Sequence, residues 1–157
     1  VRGWVEVGRG AKDDYAGEGN GMNARLVYLA GPIYDCDDTC VEWRKDAARK
    51  LRAKQIMSLS PADRDYRGKE GRPFVRKQIV EGDKRDVMKC DTIIAVCEQP
   101  SFGTAMEVHF GWSLQKQVLV VTRHGSPWIR YHATAVFDSV DEAIEALEME
   151  EFDPNVK

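Results

Sequence analysis

Thr92-Ile93-Ile94-Ala95-Val96-Cys97, the loop Glu98 to Gly103, a helical pattern over residues 104–115 and Val118-Leu119-Val120-Val121 together decide the fold. The first and last runs are short, apolar and rich in β-branched residues, as expected of strands buried on both faces. A helix between two such strands makes a βαβ unit, whose strands lie parallel and whose crossover is right-handed. Working outward, Leu26-Val27-Tyr28-Leu29-Ala30 reads as an earlier strand ended by Gly31-Pro32. Thr39 with Glu42 gives a capping-box pattern opening a helix to residue 54, with Val41, Ala48 and Leu51 near one face. Ile56 to Ser60 reads as a second strand stopped by Pro61, and residues 73–89 as a helix. Ala135-Val136-Phe137 is a short fifth strand, and Ser139 with Glu142 caps a last helix to Met149.

Five strands alternating with helices imply an α/β fold: a flavodoxin-like, Rossmann-like parallel sheet of order 2-1-3-4-5 with helices on both faces. In such a sheet ligands bind beyond the carboxyl ends of the strands, where the strand order reverses between the first and third. The loops Gly31 to Tyr34 and Glu98 to Gly103 therefore converge on one crevice.

The chain has 157 residues, 43% hydrophobic and 31% charged, with a net charge of −3, the profile of one water-soluble domain. That balance argues against a general nucleic-acid or anionic-membrane surface while leaving room for a small anionic ligand at one locally positive pocket. No apolar run reaches membrane-span length. Residues 1–21 are rich in glycine and charge and read as an N-terminal extension. Residues 22–150 read as the single domain, and 151–157 as a tail. Of the four cysteines, Cys90 and Cys97 flank a strand-like run, and the Cys36/Cys40 spacing is not that of a zinc site. A reduced, cytoplasmic protein without metal or cofactor is expected.

Within the crevice, Gly103-Thr104 stands where a strand turns into a helix and free backbone N–H groups favour an anion. Its ordinary reading is a plain turn with Thr104 as N-cap. Glu107 falls in the first turn of that helix, where a glutamate is usually solvated and favoured by the helix dipole. Met106, Val108 and Phe110 around it suggest a tightly packed helix instead. Tyr28 is either a core aromatic or a hydroxyl that holds a carboxylate in the crevice. Asp83 is either paired with Lys84 and Arg85 on a solvated face or turned inward.

These pieces, from about Leu26 to Ala146, resemble the nucleoside 2-deoxyribosyltransferases and the related 2′-deoxynucleoside 5′-phosphate N-hydrolases. Tyr28-Leu29-Ala30-Gly31-Pro32-Ile33 looks like the family's opening strand and loop. Ile79 to Asp83 followed by Asp91 to Ala95 looks like its acid-bearing helix and third strand. Gly103-Thr104-Ala105-Met106-Glu107 looks like its Gly-Thr-x-x-Glu signature. The resemblance implies Glu107 as nucleophile, Tyr28 as the tyrosine that orients it, and Asp83 as the acid facing the nucleobase. It implies Gly31, Ser101 and Gly103 as positions holding the sugar and its 5′ group, with Pro32, Ile33 and Thr104 beside them. A homodimer or higher homo-oligomer is implied too, with a neighbouring subunit completing the 5′ pocket; Ser126 and Arg130 are the candidates for that contribution.

The expected activity is cleavage of the N-glycosidic bond of a (2′-deoxy)nucleoside or its 5′-monophosphate. A glutamate-bound glycosyl intermediate then passes the sugar to water or to another base. Departure of the base requires a carboxylic acid kept protonated near neutral pH. A serine at position 101, where an acid is common in enzymes acting on free nucleosides, favours a phosphate. Arg64, Arg67, Arg123 and Arg130 are available as further phosphate partners. The alternatives are a non-catalytic nucleotide sensor or a nicotinamide-dinucleotide glycohydrolase on the same fold. His109 stands where glycine is common in the family, the acidic run Asp35 to Cys40 reads as a helix N-terminus rather than a metal site, and Asp63 to Gly68 as a solvated connection rather than a mobile lid over the base.

Overall fold

The computed structural model describes residues 25–148, so the expectations for residues 1–21, Met149 and the tail lie outside the described residues. Five parallel strands form one sheet: β1 (Leu26–Ala30), β2 (Met57–Leu59), β3 (Thr92–Val96), β4 (Gln117–Val121) and β5 (Ala135–Phe137). Their order is β2-β1-β3-β4-β5, the expected flavodoxin-like arrangement, with β1 and β3 paired at the reversal point. The connections carry α1 (Thr39–Ala53), a 3-10 turn over Pro61–Arg64, α2 (Pro73–Lys89), α3 (Phe102–Ser113), α4 (Pro127–Tyr131) and α5 (Val140–Ala146). The five-residue α4 is absent from the sequence reading; its sequence is too short to show a helical period.

Alternation along the strands sorts the core into two layers. Val27 and Leu29 of β1, Ile94 of β3, and Leu119 and Val121 of β4 pack with Ala47 and Leu51 of α1 and Ile144 of α5. Tyr28, Ala30, Ile93, Ala95, Val118 and Val120 face the other way, onto Val87 of α2 and Val108 of α3. Tyr28 is thus committed by strand parity to the α2/α3 side, the side that carries Asp83 and Glu107. Register sets it beside Ile93 of β3 and Leu59 of β2.

Several local expectations change. Thr39 is the first residue of α1 rather than its cap; its backbone N–H and hydroxyl both donate to Asp37 Oδ1. The buried stripe of α1 is Cys40, Arg44, Ala47 and Leu51, because the helix meets the sheet one step round from the face that Val41 and Ala48 suggested. Ser101, not Thr104, is the N-cap of α3, and its hydroxyl accepts from the Thr104 N–H. Starting α3 at Phe102 moves Glu107 into the second turn. Both α1 and α3 end with a glutamine in the left-handed region, Gln55 at φ 60° and Gln115 at φ 57°. The N–H of Ile56 then reaches back to Leu51 and that of Lys116 to Gly111, so each helix closes on itself and turns directly into a strand. Ser139 caps α5 as expected, and Glu142 returns a bond to the Asp138 N–H.

Candidate active site

The phenol of Tyr28 is fully buried, and its hydroxyl donates to Glu107 Oε1 at 2.7 Å. Glu107 is half-buried, projecting from α3 into a cavity of about 250 Å³ whose wall also holds Asp83 of α2. Removal from bulk water pushes the Glu107 carboxyl up to about 8. The Asp83 carboxylate pushes the same way, while the Tyr28 hydroxyl and the guanidiniums of Arg44 and Arg64 oppose it. Burial likewise raises Asp83, opposed by Arg64. Asp86, not Glu107, is the like charge that adds to the rise at Asp83, while the Tyr28 hydroxyl favours its ionised form.

Asp83 does not pair with Lys84 or Arg85. Arg64 crosses from the 3-10 turn, donating from Nη2 to Asp83 Oδ1 at 2.8 Å and from Nη1 to Asp86 Oδ2. It lies against Gly82, where a Cβ would stand 2.9 Å from Arg64 Nε. The glycine is what lets the guanidinium reach both aspartates. Arg67 is similarly taken up, bonding Asp65 Oδ2 at 2.7 Å and Asp38 Oδ1 at 3.0 Å. These two arginines, expected as phosphate partners, are thus already neutralised, and residues 63–68 are tied to the start of α1 rather than loose.

Gly31, Ile33, Ser101, Gly103 and Thr104 line the same cavity as Glu107 and Asp83. Pro32 and Ser126 lie instead on a wider, open cavity of about 900 Å³ that adjoins it through Ser101, Gly103 and Thr104. Arg130 lines neither; its Nε donates to the His124 carbonyl at 3.1 Å. The smaller cavity is also walled by Tyr34, which the sequence placed only as the end of the crevice loop, and by Tyr66 and Glu70, which it did not single out. The tyrosines lie in loops without period, so only their residue type could have signalled them.

The thiols offer no competing nucleophile near Glu107. Burial pushes Cys97 up to about 12, with Glu107 and Glu98 adding to it, and all four cysteines are unpaired. Among the described residues no group of three or more His, Cys, Asp or Glu side chains is arranged to hold a metal. No helix among them is long and apolar enough to cross a membrane. What the arrangement provides is two carboxyls raised by burial, one held by a buried phenol and the other by an arginine, facing one small cavity. Beside them the start of α3 presents the Phe102 and Gly103 N–H groups, which no protein acceptor among the described residues takes up.

The sequence model of nucleoside 2-deoxyribosyltransferases matches residues 27–155. A 2-deoxyribosyltransferase from Bacillus psychrosaccharolyticus is 19% identical, with a TM-score of 0.62, over 76% of this chain and 90% of that one. A CMP N-glycosidase from Clostridium botulinum is 17% identical, with a TM-score of 0.53, over 80% and 98%. A molybdenum cofactor binding protein from Rippkaea orientalis is 13% identical, with a TM-score of 0.56, over 82% and 98%. At these identities the likeness is one of fold. No curated protein matches the chain in sequence.

Proposed function

The chain belongs to the nucleoside 2-deoxyribosyltransferase family, and on that premise we propose that it breaks the N-glycosidic bond of a (2′-deoxy)nucleoside, preferentially as the 5′-monophosphate. The observation that carries this reading is the 2.7 Å bond from the buried Tyr28 hydroxyl to Glu107, with Asp83 across the same cavity. Loss of the base leaves positive charge on C1′ and the ring oxygen. Glu107, ionised and held by Tyr28, attacks C1′ while the bond to the base nitrogen breaks. A proton held by Asp83, whose carboxyl burial raises, goes to the departing base, directly or through water. Water or a second base, giving up a proton to the Asp83 carboxylate, then takes C1′ from the glutamyl ester and restores the Glu107 carboxylate.

Without substrate the proton favours Glu107, the more strongly raised of the two carboxyls, while Arg64 favours the ionised form of Asp83. A sugar acquiring positive charge beside Glu107 reverses the preference, so the active arrangement forms with the substrate in place.

The start of α3 suits a 5′-phosphate. The Ser101 oxygen accepts from the Thr104 N–H and from the Thr104 hydroxyl, leaving its own hydrogen to donate outward beside the Phe102 and Gly103 amides. A homodimer is part of the same proposal. Phe102 and Met106 of α3 and Trp128 and Tyr131 of α4 are large apolar side chains 96%, 66%, 75% and 72% exposed. Phe102 and Ser126 line the wider cavity, so a second copy seated there would close it. Four unpaired thiols suit a reducing, cytoplasmic setting.

The test is incubation with deoxynucleosides and their 5′-monophosphates, with and without a second free base. Base release that needs Glu107 supports the enzyme; a well-folded sample that releases none refutes it. A non-catalytic sensor draws on the likeness to a cofactor-binding protein. It gives no reason for a carboxyl held by a buried phenol opposite a second carboxyl.

A further inference from the structure

Arg44 is the largest of the fully buried side chains, and only 2% of its surface is exposed. A buried guanidinium normally meets a carboxylate. Among the described residues Arg44 meets carbonyls only: Nε donates to Leu29 O at 3.2 Å, Nη2 to Gly31 O at 2.7 Å, and Nη1 to Cys40 O and, at 3.5 Å, Pro32 O. Three of the four acceptors belong to the end of β1 and the turn after it, the segment that lines the candidate site. Trp43 packs over the guanidinium at 4.5 Å. A Cβ on Gly31 would stand 2.9 Å from Trp43 Cζ2 and 3.1 Å from Arg44 Nη2, so the turn fits against both without a gap.

We propose that Arg44 is a positioning residue for Glu107: it fixes the Gly31–Pro32 turn and supplies the guanidinium near that carboxyl which no described carboxylate neutralises. This rests on the reading of Glu107 as nucleophile. Two guanidiniums act on Glu107, but Arg64 is already ion-paired with Asp83 and Asp86. Arg44, reaching round the end of β1 from the α1 side, leaves its charge uncompensated by any bonded partner. Glu107 is the carboxylate that acts on Arg44 in return, alongside the Cys40, Tyr28 and Cys36 side chains. The groups facing Glu107 are Tyr28 from β1, Asp83 from α2, Arg64 from the 3-10 turn, Cys97 after β3 and Arg44 from α1. Removing Arg44 leaves Asp83 pressing on Glu107 with less to oppose it. The carboxyl then stays protonated, and unable to attack, to higher pH.

The experiment titrates the Glu107 side-chain carboxyl by carbon NMR in protein labelled at glutamate, its resonance assigned by its absence in Glu107→Gln. In Arg44→Met the midpoint should rise by about one pH unit, the scale of losing one nearby opposite charge. In Arg44→Lys, which keeps a charge but not the fork, the rise should be less than half as large. A folded Arg44→Met protein with an unmoved midpoint overturns the proposal. Should Arg44→Met not fold, Gly31→Ala pushes the guanidinium aside without deleting it, and the same upward movement is required of it. Kinetics give a second reading. Arg44→Lys should keep kcat within about 3-fold while raising KM as the turn loosens, whereas an equal fall in kcat with KM unmoved contradicts a role through the turn. The NMR midpoint needs no turnover, so an inactive protein with the shift present indicts the proposed reaction, and an active one without it indicts Arg44.

Discussion

The Tyr28 hydroxyl and Glu107 Oε1 stand 2.7 Å apart, a strand residue joined to a helix residue 79 positions later. The bond follows from parity and order. Tyr28 faces the α2/α3 layer because Val27 and Leu29 face the other, and α3, which follows β3, comes within reach of β1 because β1 and β3 are neighbours at the reversal point. Replacing Tyr28 with Phe keeps the buried ring and removes only the donor. An oriented hydrogen bond to a charged group is worth about 1.5–3 kcal/mol, so kcat should fall roughly 10–100-fold with KM little changed. Because the lost bond favours ionised Glu107, the acid limb of the pH profile should also move to higher pH. Steady-state kinetics from pH 5 to 10 test both; an unchanged kcat refutes the orienting role.

Glu107 makes a prediction about stability that needs no substrate. Its carboxyl is raised from an ordinary 4.5 to about 8 in the folded protein. The folded state therefore binds the extra proton between those values, and stability falls as pH rises across them. Whatever Glu107 contributes is fully present below about 4.5 and lost as the pH passes about 8. Glu107→Gln, which cannot ionise, should match the wild type near pH 4.5 and exceed it at pH 9 by about 2 kcal/mol, reduced from the full conversion because the carboxyl faces an open cavity. Urea unfolding at the two pH values measures the difference. The same variant should be inactive.

How much of this was legible in the sequence depends on the range of the interaction. Strand and helix periods gave all five strands and the sheet order, because burial acts on every second or every third to fourth residue of a segment. Glu107, Tyr28 and Asp83 were nameable through the resemblance, and the sheet order predicted that their loops meet. Arg44 was not, since a lone arginine on a helix reads as solvent-facing until the end of β1 supplies carbonyls for it. The Arg64 contacts with Asp83 and Asp86 were hidden for the same reason: three residues in two segments, with nearer basic neighbours in the chain to mislead. Thr39 and Ser101 show the limit at helix ends, where several cap-forming residues fall within one turn and backbone geometry decides which one caps.

Ser101 separates the two substrate classes. Its hydroxyl caps α3 and borders the amides expected to take a phosphate. Ser101→Asp keeps a good cap but adds a charge, so kcat/KM for a 5′-monophosphate should fall at least about 10-fold further than for the free nucleoside. Ser101→Ala should cost about 1 kcal/mol in stability through the lost cap and, having lost a donor to the phosphate, reduce the monophosphate more than the free nucleoside. Competition assays with paired nucleosides and monophosphates read the ratio. An equal loss on both in Ser101→Asp removes the argument for the phosphate.

The aromatic face of α3 and α4 should hold the dimer. His132 sits under it, 4.7 Å from the Trp112 ring and 5.1 Å from that of Tyr131, while its Nδ1 donates to the Trp128 carbonyl at 2.7 Å and its Nε2 meets His109 Nδ1 at 3.2 Å. The rings are thus organised, not merely exposed. A charge placed at the exposed Met106 would be desolvated by a partner but remain in water on a lone subunit. Met106→Glu should therefore yield a folded monomer by light scattering at a concentration where the wild type is a dimer, while a wild-type monomer or a dimeric variant refutes this face.

The Gly82 contact with Arg64 gives a case where stability and activity part company. An alanine Cβ there would meet Arg64 Nε at 2.9 Å and Cζ at 3.2 Å. The obstacle is the far end of a flexible side chain, so the guanidinium can swing away while the α2 backbone stays in place. Alanine is favoured over glycine inside a helix by about 1 kcal/mol, which offsets part of the lost ion pairs at Asp83 and Asp86. The melting temperature of Gly82→Ala should accordingly stay within a few degrees of the wild type. Catalysis should change more. Arg64 favours the ionised form of Asp83, so displacing it lets Asp83 hold its proton to higher pH. The alkaline limb of kcat/KM should then move upward, with a smaller upward movement of the acid limb because Arg64 also favours ionised Glu107. Arg64→Met should move both limbs in the same directions but lose stability, since it leaves two aspartates unpaired without the helix gain. An alkaline limb that stays in place in both variants would show that Asp83 does not supply the proton to the base.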